Sequence, residues 1–78
     1  SLWAYSGYTY EQLLADETKR KLLELLDVLV DGRFVQDQKD YRLKFKGSRN
    51  QRIIDVPASL SQGTVVLSPY DDDNQRLE

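Results

Sequence analysis

The chain has 78 residues, which is enough for one small domain or for part of a larger one. It contains no cysteine and no histidine, so this chain alone cannot supply disulfide bonds, thiolate ligands or imidazole chemistry. The net charge of −2 is unevenly distributed, because residues 33–52 hold seven basic and two acidic side chains. We therefore expect the centre of the chain, rather than the whole of it, to attract anions.

Membrane insertion and secretion are not expected from this sequence. No apolar run approaches the roughly 20 residues that a membrane-spanning helix needs, and the first residues lack the basic stretch of a secretory signal. The absence of cysteine is consistent with a reducing compartment. We therefore expect a cytoplasmic location.

The first half of the chain predicts an α/β arrangement. Residues 2–5 form a short apolar run that predicts a strand, and the Ser6-Gly7 pair after it predicts a tight turn. Residues 28–30 are three consecutive apolar residues bounded by Asp27 and Asp31, which predicts a strand buried on both faces. A strand, a helix and a buried strand within about 30 residues form the βαβ pattern, which implies parallel strands.

The helix between these strands has clear signals at its start. Thr9 and Gln12 have the spacing of a capping box, so the helix should begin at Tyr10. Leucines at helical spacing predict that it continues to about Leu26, and Asp16 predicts a possible break, because this residue type caps a following turn.

The second half predicts shorter strands. In residues 40–46 aromatic and apolar side chains alternate with basic ones, which predicts a half-buried strand with a basic outer face. Residues 53–56 predict a strand that Pro57 stops, residues 58–62 a turn or a single helical turn, and residues 64–67 another strand. Residues 69–78 are predicted to be a disordered acidic tail, whose final Leu77 and Glu78 resemble the remnant of a cloning site.

A run of six polar or small residues interrupts this second half. Its members are Gly47, Ser48, Arg49, Asn50, Gln51 and Arg52, and Lys46 precedes them. Their side chains can cap neighbouring backbone groups and so brace a surface loop. Alternatively, the two arginines can grip a carboxylate or phosphate while the amides read donor and acceptor patterns. The residue types alone do not separate these alternatives.

Three further features of the sequence are candidate sites. The basic residues of 39–52 superficially resemble a nucleic-acid platform, but strict alternation would place the aromatic rings on the opposite face, so a solvated strand face is favoured. Ser6 and Gly7 follow a strand where parallel folds place ligands, although a plain turn is the default. Asp31 either orders a ligand loop or simply forms a turn with Gly32. No nucleophile–base pair or metal-ligand cluster is recognisable, so no catalytic or metal-binding residue is predicted.

Three stretches together resemble one family. Residues 3–11, 25–32 and 45–55, the last including the polar run followed by Ile-Ile-Asp, are similar in order and spacing to the carboxyl-terminal part of anaerobic ribonucleotide reductase activating proteins. These proteins belong with the radical-SAM glycyl-radical activases. The resemblance implies a fragment of a partial (β/α) barrel, with residues 1–68 as its folded part.

The resemblance also implies cofactors and a partner. The parent enzyme would bind a 4Fe–4S cluster and S-adenosylmethionine, cleave the latter to a 5′-deoxyadenosyl radical, and install a glycyl radical on the reductase. The resemblance also implies roles for particular residues. Tyr5, Ser6, Gly7 and Asp31 would lie on the cofactor side, and residues 46–52 would form a loop that braces the cofactor side or contacts the reductase.

The family's cysteine motif, CxxxCxxC, and its Gly-Gly-Glu stretch are missing from these residues and would lie upstream of Leu2. We therefore expect no cofactor and no activase activity in this fragment alone. The alternative function is that of a binding protein and not of an enzyme fragment: a stand-alone module that binds a protein or nucleic acid through the basic strand and loop of residues 39–52.

Overall fold

A three-stranded mixed sheet lies at the centre of the computed structural model, which describes residues 1–71. The strands are β1 (Trp3–Tyr5), β2 (Val28–Asp31) and β3 (Arg52–Asp55), and they lie in the order β1-β2-β3. β1 and β2 are parallel, whereas β2 and β3 are antiparallel. The predicted α/β class and the parallel βαβ unit are thus confirmed.

Two short helices, α1 (Tyr10–Ala15) and α2 (Glu17–Leu23), connect the parallel strands. The capping box at the start of α1 is present, with the Gln12 amide N–H donating to the Thr9 hydroxyl at 3.2 Å. The predicted break falls at Asp16, whose carboxylate accepts from the first amides of α2 at 3.0 and 3.1 Å. These caps satisfy backbone donors that a helix start leaves without partners.

The sheet buries a different set of side chains on each face. Leu29 and Ile54 point to the face that α1 and α2 cover, and they pack with Tyr10, Leu13 and Leu23. On the other face Val28, Val30 and Ile53 pack with Trp3. All four residues of β2 are buried, as predicted for a strand covered on both sides.

Three aromatic rings lie together beside this second cluster. The ring centroids of Trp3, Phe45 and Tyr70 are 5.4 to 5.7 Å apart, at tilted and edge-on angles that aromatic pairs favour. The three rings come from β1, from the long connection between β2 and β3, and from the chain after α3 (Val56–Gln62). They therefore fix that connection and the later chain against the sheet.

The prediction of a strand at residues 40–46 is wrong. This segment consists of turns and bends, with one isolated bridge from Lys39 to Ser48 and a 3₁₀ helix at Gln36–Gln38 before it. Asp40 closes a local turn by accepting from the backbone and guanidinium of Arg42. The predicted burial also fails at both ends of the segment, because Tyr41 is 87% exposed while Lys46 is buried. Local side-chain bonding thus competes successfully with strand pairing.

Two predictions near the end of the chain also need correction. In the part of the chain that the structure describes, residues 64–67 form an isolated bridge from Leu67 to Ile54 instead of a full strand. Tyr70 and Asp71 are held in tertiary contacts, so the predicted disordered tail does not begin at residue 69. The rest of that prediction, including Leu77 and Glu78, lies outside the described residues. Within residues 1–71, no helix has the length and apolar character required to cross a membrane.

A buried ion pair holds the chain after α3 to the sheet. The Asp71 carboxylate accepts from the backbone N–H of Ile53 at 2.7 Å, and the Lys46 ammonium lies 3.4 Å from both carboxylate oxygens. Both side chains are almost fully buried. Breaking a buried pair from one side leaves a buried charge behind, which is strongly destabilising.

We expect Asp71→Ala to lower the free energy of unfolding by roughly 3–5 kcal/mol, because it leaves a buried lysine charge and a buried amide without this partner. Urea denaturation followed by circular dichroism measures the change. Asp37→Ala, at an exposed position in the 3₁₀ helix, is the matched control and should change the midpoint little. Equal, small effects for both variants would contradict this role of Asp71.

Candidate functional site

The Asp31 carboxylate lies at the carboxyl end of β2 and is fully buried. It accepts the backbone N–H of Tyr10 at 2.7 Å and the backbone N–H of Arg52 at 3.2 Å. The Arg52 guanidinium adds two more hydrogen bonds, from Nε at 3.1 Å and Nη2 at 2.5 Å. One carboxylate therefore joins the end of β2 to the start of α1 and to the start of β3.

Glu11 extends this ion pair to the surface. Its carboxylate accepts from Arg52 Nη2 at 2.7 Å and from Nη1 at 3.4 Å. The hydrogen bond from Arg52 lowers the pKa of the Glu11 carboxyl group. The bonds to Asp31 and then to Glu11 raise the pKa of the Arg52 guanidinium, so Arg52 and Glu11 both carry charge at neutral pH.

The end of β1 lies beside the end of β2. The Ser6 amide donates to the Val30 carbonyl at 3.0 Å, and the Ser6 hydroxyl accepts from the Tyr8 amide at 2.9 Å. The Tyr5 ring is largely exposed, and open space surrounds the α-carbon of Gly7 on its side-chain side. The predicted cofactor-side residues are thus brought to one edge of the sheet, but the Asp31 carboxylate is engaged with Tyr10 and Arg52.

Gln51 is the central brace of the polar run. Its side-chain oxygen accepts from the amides of Gly47 and Ser48 at 2.9 and 3.1 Å, while its side-chain nitrogen donates to the Gly32 carbonyl at 3.0 Å. Gly32 has a φ of 91°, in the left-handed region that a glycine adopts without strain. Gln51 therefore connects the turn after β2 to the loop before β3.

Ser48 and Asn50 make a second connection to the chain after β2. The Ser48 hydroxyl donates to the Asn50 side-chain oxygen at 2.6 Å and accepts from the Val35 amide at 3.1 Å. The Asn50 side-chain nitrogen donates to the Arg33 carbonyl at 2.8 Å. For these side chains the bracing alternative is the one that the geometry supports.

Gly47 and Arg49 are two exposed residues of the polar run. A side chain at Gly47 would lie 2.9 Å from the Phe34 ring, so the glycine permits close packing there. Arg49 is about half exposed and pairs with Asp40 at 3.0 Å. Hydrogen bonds from Arg42, with the nearby charges of both arginines, hold the pKa of Asp40 well below its usual range.

The positive charge of residues 33–52 is therefore largely matched by carboxylates. Counting only partners within residues 1–71, four of the seven basic side chains in this segment lie in ion pairs, namely Arg42, Lys46, Arg49 and Arg52. The attraction for anions that the charge count predicts for this segment is consequently much weaker than the sequence indicates. Sequence reasoning missed Glu11 as the partner of Arg52 and Asp71 as the partner of Lys46, and only their opposite charges could have signalled these distant pairs.

Residues 1–54 match the family model of the 4Fe-4S single cluster domain. The chain belongs to this family. An anaerobic ribonucleoside-triphosphate reductase-activating protein of Pasteurella multocida is 48% identical over 52 residues, which cover 67% of this chain and 33% of that relative. Relatives of the same name from Vibrio cholerae and Escherichia coli are 46% and 44% identical, over 67% and 64% of this chain and 32% and 31% of theirs.

The chain thus spans about a third of the length of the curated relatives that it matches. The predicted resemblance to these activating proteins is confirmed. No solved structure matches the chain. The Asp31 ion pairs and the polar run lie entirely inside the segment that the family model covers.

The residues present do not fit an iron–sulfur cluster. Such clusters are held by cysteine thiolates, and this sequence has neither cysteine nor histidine. Across residues 1–71, histidine, cysteine, aspartate and glutamate form no group of three or more that could hold a metal ion. A 4Fe–4S cluster therefore needs ligands from outside these 78 residues.

We expect Gln51→Ala to lower the free energy of unfolding by about 1–3 kcal/mol, because two loop amides and one carbonyl lose a partner in a partly buried place. Arg49→Ala is the control from the same loop, and removing its exposed ion pair should cost less than about 1 kcal/mol. Chemical denaturation of both variants gives the comparison. A larger loss for Arg49→Ala would show that the loop is held by its charges instead.

Proposed function

We propose that the chain is the carboxyl-terminal part of an activating protein for an anaerobic ribonucleotide reductase, built on a radical-SAM partial barrel. The identity of 42 to 48% with relatives of that name is the observation that carries this proposal. The parallel β1 and β2 with their connecting helices are the kind of unit from which such a barrel is assembled.

In this proposal the chain contributes a frame for the cofactors and no catalytic residue. The cluster and the cysteines that hold it belong to another part of the polypeptide, since the residues here do not fit that group. S-adenosylmethionine would supply the radical chemistry when bound. The rim of Tyr5, Ser6 and Gly7 has the exposure and open space to face it.

Asp31 has a different role from the one that the resemblance implies. Its carboxylate already accepts four hydrogen bonds from Tyr10 and Arg52. We therefore assign Asp31 as a positioning residue. It fixes the start of α1 and thereby the position of the rim residues that precede this helix. The fragment alone is inactive in this account.

The reductase is the proposed partner of the polar run. Ser48 is buried, and the side chains of Asn50 and Gln51 are committed to hydrogen bonds that brace the loop. The contact therefore falls on the exposed Gly47 and Arg49. The alternative, a stand-alone module that binds nucleic acid or protein through residues 39–52, has less support. Within the described part of the chain, residues 1–71, ion pairs with carboxylates engage four of the six basic side chains that it would use.

A segment exchange tests this function. The 52-residue segment of the Pasteurella multocida relative is replaced by its counterpart from this chain, and the hybrid is reconstituted without oxygen alongside the unmodified relative and the isolated chain. We expect the hybrid to install a glycyl radical on that organism's reductase, detected by electron paramagnetic resonance. The isolated chain should show neither radical formation nor iron–sulfur absorbance.

The same hybrid locates the partner surface. Arg49→Ala should weaken its affinity for the reductase, whereas Lys21→Ala, exposed on α2, should not. A hybrid that folds and binds its cluster but forms no radical would contradict the proposed function, as would a cluster bound by the isolated chain. If the two alanine variants of the hybrid bind the reductase with equal affinity, Arg49 is not part of the contact.

A further inference from the structure

One carboxylate holds both ends of the polar run. Lys46 lies directly before the run, and Ile53 lies directly after it. The Asp71 carboxylate accepts from the Ile53 amide at 2.7 Å, and the Lys46 ammonium lies 3.4 Å from both of its oxygens. The start and the end of the loop are therefore fixed to the same group.

Water has little access to these contacts. The side chains of Lys46 and Asp71 are each only 1% exposed, and Ile53 is fully buried. Charged hydrogen bonds are stronger in such surroundings than at the surface, and opening them leaves a costly buried charge. Asp71 therefore holds the loop more firmly than the half-exposed ion pair of Arg49 does.

Backbone and aromatic contacts bring Asp71 to this position. The Ser68 amide donates to the Ile53 carbonyl at 2.8 Å, and the Asp71 amide donates to the Ser68 carbonyl at 2.9 Å. The Tyr70 ring packs edge-on against the Phe45 ring, with the two centroids 5.6 Å apart. Two consecutive residues after α3 thus hold the two consecutive residues that precede the polar run.

The loop between the two ends carries the surface that is assigned to the reductase. Gly47 and Arg49 are exposed on this loop and follow Lys46 closely in the chain. A loop that moves in the free protein must be ordered when it binds, and the entropy lost in ordering it weakens the complex. Fixing both ends before binding reduces this loss.

We propose that Asp71 is a positioning residue for partner binding, which holds Gly47 and Arg49 in the geometry that contacts the reductase. The inference rests on the proposed function for the identity of the partner. It goes further, because Asp71 lies outside residues 1–54, the range that the family model covers. The segment after β3 thereby acts in recognition as well as in stability.

The first test uses a hybrid that joins this chain to the part of the Pasteurella multocida relative that precedes its matched segment. Asp71→Asn keeps an oxygen for the Ile53 amide but removes the charge that binds Lys46. We expect it to weaken binding of that organism's reductase about tenfold, and to raise the KM for the reductase with little change in kcat. Val56→Ala, in the core on the helical face of the sheet, is the stability control and should leave the affinity unchanged.

A double variant of the hybrid separates positioning from stability. Lys46→Met/Asp71→Asn removes both charges of the pair, and replacing a buried ion pair in this way is often neutral for folding. Its melting temperature should therefore lie closer to that of the unmodified hybrid than that of Asp71→Asn does, while its affinity for the reductase stays about tenfold weaker. An affinity that recovers together with the melting temperature would overturn the proposal.

Hydrogen exchange of the full chain tests the same role without the reductase. The amides of Gly47 and Ser48 donate to the Gln51 side chain, so they connect the start of the loop to its end. In Asp71→Asn they should exchange at least about tenfold faster than in the unmodified chain, and faster than in Val56→Ala. Unchanged rates, or equal rates in the two variants, would overturn the proposal.

An unmodified hybrid that does not bind the reductase would count against the proposed function. Faster exchange at Gly47 and Ser48 in Asp71→Asn would still support Asp71 as the residue that holds the loop. Conversely, a hybrid that binds the reductase equally well with and without Asp71→Asn would overturn the positioning role while supporting the proposed function.

Discussion

The buried carboxylate of Asp31 is the constraint on which the arrangement of this chain depends. A charge at this depth is costly unless it is fully paired, and its four hydrogen bonds supply that pairing. They come from the first residue of α1 and from the first residue of β3. The parallel unit and the antiparallel strand are thereby fixed to one point at the carboxyl end of β2.

The polar run follows from the same constraint. Once Arg52 is held at Asp31, its neighbour Gln51 is placed beside the turn at Gly32 and bonds its carbonyl. Residues 32–51 contain no strand, so side-chain hydrogen bonds from the run take the place of a ladder in holding this long connection. The run therefore has a structural role, and its exposed Arg49 adds a surface to it.

Local signals in the sequence predicted the first half of the fold well. Thr9 and Asp16 act on amides two or three residues away, so their effect is visible in the sequence. The strand at residues 40–46 failed for the opposite reason, because alternation of residue types does not reveal that Asp40 binds Arg42 locally. Periodicity reports burial only where a strand actually forms.

The contacts that define the site join residues far apart in the chain. Asp31 and Arg52 are 21 residues apart, and Lys46 and Asp71 are 25 apart, so no spacing rule finds either pair. The family resemblance predicts Asp31 at the end of a strand on the cofactor side, and the structure has it at the carboxyl end of β2. The resemblance could not show that Arg52 and Tyr10 engage its carboxylate, because that depends on the three-dimensional register of β2 with β3.

Native-state hydrogen exchange of Asp31→Asn, compared with Asp27→Asn, tests the central role of this carboxylate most directly. Asp27 is exposed immediately before the same strand, and among residues 1–71 its carboxylate accepts from one backbone amide, that of Leu2. Asp31→Asn should make the amides of Tyr10 and Arg52 exchange faster together, because both lose the same charged acceptor, while Asp27→Asn should leave them unchanged. Unchanged protection of these two amides in Asp31→Asn, or equal effects of the two variants, would contradict the account.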